Sequence, residues 1–195
     1  MPEYEWITHK IFVVREFFTP EECRAAIDRA EATGFGQAPI NTAFGPQIRT
    51  DVRNNSRVMI DDPQLAAALW ERCRDYIPLR LGDWEAVGVN ERFRYYRYDV
   101  GQQFDWHYDG AFQRVSGERS RLTFMIYLNT GFDGGTTSFE DAQIVPQEGL
   151  ALFFWHAILH KGQPVERGRK YVLRTDVMYL HNRVQPCDEA ADDKE

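Results

Sequence analysis

Two stretches of the chain place apolar residues at helical spacing, and both carry a start signal. Thr19-Pro20-Glu21-Glu22 has the form of a capping box with proline at the first helical position, and Cys23, Ala26, Ile27 and Ala30 follow on one face. The pattern predicts an amphipathic helix ending near Gly34. Asp62-Pro63 opens the second, in which Leu65, Ala66, Leu69, Cys73, Tyr76 and Ile77 share a face as far as Pro78. Between them, Gly36 to Ser56 is rich in Gly, Pro, Asn and Arg without sustained periodicity, and reads as a long ordered loop or lid over a pocket.

From about Val87 the period changes. Arg92 to Tyr98, Leu122 to Leu128, Leu150 to Trp155 and Tyr171 to Leu180 are short runs rich in aromatic and β-branched residues, separated by glycines such as Gly101, Gly131, Gly134-Gly135, Gly149 and Gly162. They predict mostly antiparallel strands of a sandwich or barrel. Two helices followed by many strands give an α+β chain, mostly β, with the helices packed outside a β core. One domain is expected over residues 1–185, followed by an acidic, disordered tail at 186–195.

Composition narrows the function classes. The net charge is −7, concentrated in that tail, so the body lacks the basic surface with which proteins neutralise phosphates, and no nucleic-acid partner is expected. No apolar run is long enough to cross a bilayer and the first residues do not form a leader, which predicts no membrane association and a cytoplasmic location. Cys23, Cys73 and Cys187 are odd in number and far apart, which fits reduced, mostly buried thiols.

The candidate chemistry begins at Phe104-Asp105-Trp106-His107-Tyr108-Asp109. On an extended chain residues i and i+2 share a face, so the His107 imidazole and the Asp109 carboxylate can converge on one metal. His160 stands just beyond the apolar strand Leu150 to Trp155 and can complete a two-histidine, one-carboxylate face, which leaves coordination positions open and favours Fe(II) chemistry over closed structural zinc. His156, four residues earlier, is a lesser candidate, and His9 and His181 have no partner within reach in sequence. Lys170 follows His160 by ten positions on a strand, where a fixed cation can hold the far end of a dicarboxylate.

At this point the chain resembles the Fe(II)- and 2-oxoglutarate-dependent dioxygenases, in their prolyl 4-hydroxylase-like branch. The resemblance is carried, in order and spacing, by Arg97-Tyr98-Asp99-Val100-Gly101-Gln102, His107-Tyr108-Asp109, Thr123 to Asn129, Gly134-Gly135-Thr136-Thr137-Ser138-Phe139 and His160 to Lys170, and it extends from about Arg15 to Leu180. It implies a double-stranded β-helix, a jelly-roll core with two N-terminal supporting helices and iron at one open end. His107, Asp109 and His160 match the catalytic iron ligands, Lys170 the residue that pairs with the distal carboxylate of 2-oxoglutarate, and Tyr98 and Thr137 further contacts to that cosubstrate. Fe(II), 2-oxoglutarate and O2 are the implied cofactor and cosubstrates, and hydroxylation of a C–H bond with release of succinate and CO2 the implied reaction.

The substrate is left open between a small molecule, an amino acid and a peptide. Arg121 resembles an arginine that borders the substrate pocket in this branch. Arg174 and Asp176 share a strand face with Lys170, and either hold a polar substrate or pair with each other. Tyr171 stands where prolyl hydroxylases often have tryptophan, and the charged strand beyond it argues against a peptidyl-proline groove. The rival readings are a non-catalytic sensor domain that binds 2-oxoglutarate or metal, against which the intact ligands and lysine count, and a nucleic-acid demethylase of the same superfamily.

Overall fold

The computed structural model describes residues 3–42 and 44–182, so the expected tail and Cys187 lie outside the described residues. The chain opens with an antiparallel hairpin of β1 (Tyr4–Thr8) and β2 (Ile11–Val14), which the sequence pattern did not announce because four buried apolar residues in a row carry no period. Helix α1 (Pro20–Thr33) starts on the capping box: Glu22 N donates to Thr19 Oγ1 at 3.2 Å and Thr19 N to Glu22 Oε2 at 2.8 Å. It stops at Gly34, whose φ of 91° suits glycine.

The stretch read as a loop holds β3 (Gly36–Gln37) and a small hairpin of β4 (Ile40–Thr42) and β5 (Gly45–Gln47) before β6 (Ser56–Asp61). Asp62 caps α2 (Pro63–Cys73) by accepting from Leu65 N at 2.9 Å. This helix ends four residues before Ile77, in a turn closed by Tyr76 N on Cys73 O, because a proline at 78 disfavours helical backbone in the residue before it.

The remaining elements are β7 (Arg80–Leu81), β8 (Trp84–Val89), β9 (Arg92–Tyr98), β10 (Phe104–His107), β11 (Arg119–Tyr127), β12 (Asp133–Gly134), β13 (Thr137–Phe139) and β14 (Gln143–Ile144). They continue with β15 (Ala151–Trp155), β16 (His160–Gly162), β17 (Val165–Arg167) and β18 (Lys170–His181). A ten-stranded sheet runs β1-β2-β15-β11-β18-β9-β6-β3, with β8 and β7 alongside the far half of β18, and a four-stranded sheet runs β10-β16-β13-β14. Every pairing is antiparallel, giving the jelly-roll or double-stranded β-helix arrangement.

Period two sorts the large sheet into two faces. Phe12, Phe93, Tyr95, Leu122, Phe124, Ile126, Phe153, Leu173 and Val177 pack with Cys23, Ala30, Ala66 and Leu69 of the helices. Their neighbours in sequence, Ile11, Val13, Tyr96, Tyr98, Tyr127, Leu152, Phe154 and Val172, pack instead with Phe139, Ile144 and Val165 beneath the small sheet. The second face holds the candidate site. No helix among the described residues is long and apolar enough to cross a membrane.

Candidate active site

His107 and His160 are partners across the β10–β16 pair, which brings two residues 53 positions apart in sequence face to face with ring centroids 4.1 Å apart. Asp109, two residues beyond the end of β10, turns its carboxylate back toward both rings: Oδ1 lies 3.9 Å from His107 Nε2, and Oδ2 3.6 Å from His160 Nε2. Their ligating atoms all lie within 4.8 Å of one another, the one such three-residue group among the described residues.

Each imidazole is aimed by its other nitrogen. His107 Nδ1 lies 2.7 Å from Asp105 O and His160 Nδ1 3.0 Å from Ile158 O, so each Nδ1–H donates to a carbonyl and each Nε2 lone pair faces Asp109. Phe104 stacks on His107 at 3.4 Å, and Phe154 meets His160 edge-on at 4.6 Å. Burial lowers both imidazole pKa values, that of His107 to about 3 with help from His160. Burial alone would raise the Asp109 carboxyl, but the Arg174 guanidinium, 3.1 Å from Oδ2, and the two histidines hold it well below the usual carboxylate range. Thr123 Oγ1 donates to the same oxygen at 2.5 Å. Two neutral imidazoles and one ionised carboxylate, oriented before any ion arrives, fit a divalent transition metal.

The cluster opens on a cavity whose wall also carries Tyr96, Tyr98, Met125, Thr137, Lys170 and Arg174. Lys170 is 3% exposed, and burial lowers its ammonium to about 7. Its Nζ donates to Gly135 O and sits 5.4 Å from the Tyr98 ring centroid and 5.3 Å from that of Tyr127, with no carboxylate beside it among the described residues. Tyr127 donates its hydroxyl to Thr137 Oγ1 at 2.6 Å. The Gly134-Gly135 turn makes this corner: a Cβ at Gly134 would meet Pro164 O at 2.5 Å, and one at Gly135 would meet Lys170 Cδ at 3.0 Å. A buried cation between two phenol rings, capped by a carbonyl, fits the carboxylate of an acid that enters the cavity.

Lys170, Tyr98 and Thr137 therefore meet at one end of the cavity, and His107, Asp109 and His160 at its metal end. Arg174 lines the cavity, whereas Asp176, 1% exposed, bridges Arg174 at 3.0 Å and Arg94 at 3.2 Å, so of its two open roles the structure displays the ion pair. His156 lies 3.3 Å from Asp176 and takes no place in the metal group. Arg121 stands away from the cavity: its guanidinium covers the Trp84 ring at 4.6 Å, because a bulge between Ser120 and Leu122 shifts its register. Tyr171 points to the opposite sheet face, where its hydroxyl meets Glu31 and its ring meets Phe35, so its identity says nothing about a peptide groove. His9 is exposed, and His181 packs edge-on against Trp84 at 4.9 Å. Thr123, Tyr127 and Phe104 were not singled out by sequence; Thr123 and Tyr127 are readable only as the inward set of β11 once its register is known.

Comparison with known proteins agrees with this geometry. Residues 93–175 match the family model described as the 2OG-Fe(II) oxygenase superfamily. Probable prolyl 4-hydroxylase 8 of Arabidopsis thaliana is 25% identical over 198 residues, covering 83% of this chain and 66% of that protein. The chain spans about two thirds of the length of the curated relatives it matches. Among solved structures, a Pseudomonas putida prolyl-4-hydroxylase superposes with a TM-score of 0.65 at 20% identity, over 87% of this chain and 93% of that one. A Trichoplax adhaerens prolyl hydroxylase in complex with a hypoxia inducible factor peptide fragment also gives 0.65, at 18% identity, over 87% and 84%. At such identities the structural likeness speaks to the fold.

Proposed function

We propose that this chain is a member of the 2OG-Fe(II) oxygenase superfamily, in its prolyl 4-hydroxylase-like branch, and that it is an Fe(II)- and 2-oxoglutarate-dependent dioxygenase that hydroxylates a C–H bond of its substrate. The observation that carries this reading is one cavity with a three-donor metal cluster at one end and a buried ammonium lacking a carboxylate partner among the described residues at the other. An iron(II) ion bound there supplies the oxidative decarboxylation of 2-oxoglutarate by O2 to succinate and CO2, with one oxygen atom delivered to substrate.

The chain's own part is binding and exclusion. His107, Asp109 and His160 would hold the metal. Lys170, with Tyr98 and Thr137 beside it and Tyr127 completing the wall, would hold the distal carboxylate of the cosubstrate. Thr123 and Arg174 fix the carboxylate plane of Asp109. Phe104, Phe154 and Met125 keep the reacting centre dry.

The substrate is a small molecule or a peptide, with a prolyl residue one candidate because the curated relatives are named prolyl 4-hydroxylases. Free, buried Cys23 and Cys73 support work in the reducing cytoplasm. The test is anaerobic addition of Fe(II) and 2-oxoglutarate, which should raise a weak visible charge-transfer band, followed by air and assay of succinate. Absence of both in the wild type refutes the reading.

A further inference from the structure

Beside the metal cluster lies a second cleft, and four arginines line it: Arg53, Arg57, Arg94 and Arg174, arranged around Tyr96. Register explains the gathering. Arg57 is the partner of Tyr96 across β6–β9, and Arg94 is the partner of Arg174 across β9–β18. Like charges directly opposite on a sheet repel, and here Asp176 offsets one such pair by contacting both guanidiniums. Asp109, the one carboxylate among the described residues that line this cleft, is committed to the candidate metal group and to Arg174.

Two cations are left over. Arg53 is 4% exposed, wedged between the rings of Tyr96 at 4.6 Å and Phe104 at 4.3 Å. Its Nε donates to Asn55 Oδ1 at 2.7 Å, while its Nη2 is buried with no hydrogen-bond partner among the described residues. Arg57 is half-buried and makes no ion pair among the described residues. Burial lowers its pKa, opposed by Tyr96 and assisted to a lesser degree by the nearby Arg53, Arg94 and Arg174. A fixed, desolvated guanidinium with an orphaned donor is costly unless an anion completes it.

We infer that the substrate of this protein carries a carboxylate, seated against Arg57 and beside Arg53 in the cleft that adjoins the metal cluster. Arg174 touches Asp109 of the candidate metal group and lines this cleft together with His107 and Asp109, so an anion held here adjoins the metal end. The carboxylate is the free acid group of a small substrate or an acidic side chain within a peptide. The cations are confined to a pocket in a chain of net charge −7, which favours a carboxylate over a nucleic-acid backbone.

The inference rests on the dioxygenase reading, and its test holds that reading apart. Anaerobic protein is saturated with Fe(II) and 2-oxoglutarate until the charge-transfer band stops growing, which establishes the metal and cosubstrate site independently. It is then titrated calorimetrically with N-acetylated L-amino acids, proline included, each alongside its own carboxamide. At least one acid should bind ten times more tightly than its amide. Arg57→Gln should abolish that preference, and Arg57→Lys should retain part of it. Tripeptide amides containing Glu or Gln tell an acidic side chain from a free terminus. With the band present, equal binding of every acid–amide pair, no binding of any probe, an unchanged preference in Arg57→Gln, or tighter binding of an oligo-dT probe than of any acid overturns the inference and leaves the dioxygenase reading standing.

Discussion

The two faces of the large sheet are built from the same strands and obey opposite rules. On β18, Leu173 and Val177 point to the helices, where Phe124 stacks on Phe153 at 4.3 Å and Phe153 on Phe12 at 4.9 Å. Alternating with them, Lys170, Val172 and Arg174 line the cavity and Asp176 pairs with Arg174 on the same face, so three of these four are charged. The helix-backed face gains free energy simply by leaving water. The cavity face loses it, since each buried charge needs a partner or a bound ion. Stability is therefore concentrated on one side of the sheet and chemistry on the other, and the rigid apolar side holds the charged one in place.

Substitutions can pull these roles apart, and the largest separation is expected at the metal. Asp109→Ala should reduce succinate formation to background while far-UV circular dichroism stays native; a variant with a tenth of wild-type turnover would break the assignment. On the opposite face, Phe124→Ala should cost about 3–5 kcal/mol in chemical denaturation by opening a core cavity. Turnover per folded molecule should change less than about twofold, because Phe124 touches nothing in the site. A large drop in turnover there would mean the two faces are coupled.

Lys170 sharpens the comparison through pH. Because burial lowers its ammonium from 10.5 to about 7, the folded chain holds fewer protons than the unfolded chain between those values. Without cosubstrate, stability should rise with pH across that window. In the role proposed for Lys170, binding of the distal carboxylate would call for the ammonium form, so the dissociation constant for 2-oxoglutarate should weaken by about tenfold per pH unit above 7. Calorimetry across that range checks both trends, and Lys170→Met should flatten them. The smallest effect belongs to Arg121→Ala, which removes a cation–π contact worth about 0.5–1 kcal/mol and should leave substrate KM unchanged.

How much of this was legible depended on how local each signal was. Both helix starts were readable because a capping box and an Asp-Pro cap act within four residues. His107 and Asp109 were readable through strand alternation, and His160 and Lys170 through their place in an ordered set of motifs. The β1–β2 hairpin was not, since a four-residue apolar run has no period to detect. The cluster of Arg57, Arg94 and Arg174 arises from pairing of β6 with β9 and of β9 with β18, and Arg53 joins it through a bridge to Phe104, none of which a sequence interval encodes. Arg121 was misplaced by a bulge that alternation cannot anticipate. Tyr171, by contrast, adjoins inward-facing Lys170, and alternation alone assigns it to the far face.

In the proposed function, the corner at Gly134-Gly135 would make the pocket a gauge of molecular length. Its floor is main chain, held by the Pro164 carbonyl on one side and by the Lys170 stem on the other, so it cannot slide to suit a different acid. With the ammonium anchored at that floor and the imidazoles fixed at the opposite end, a keto diacid one methylene shorter or longer than 2-oxoglutarate would reach one anchor and miss the other.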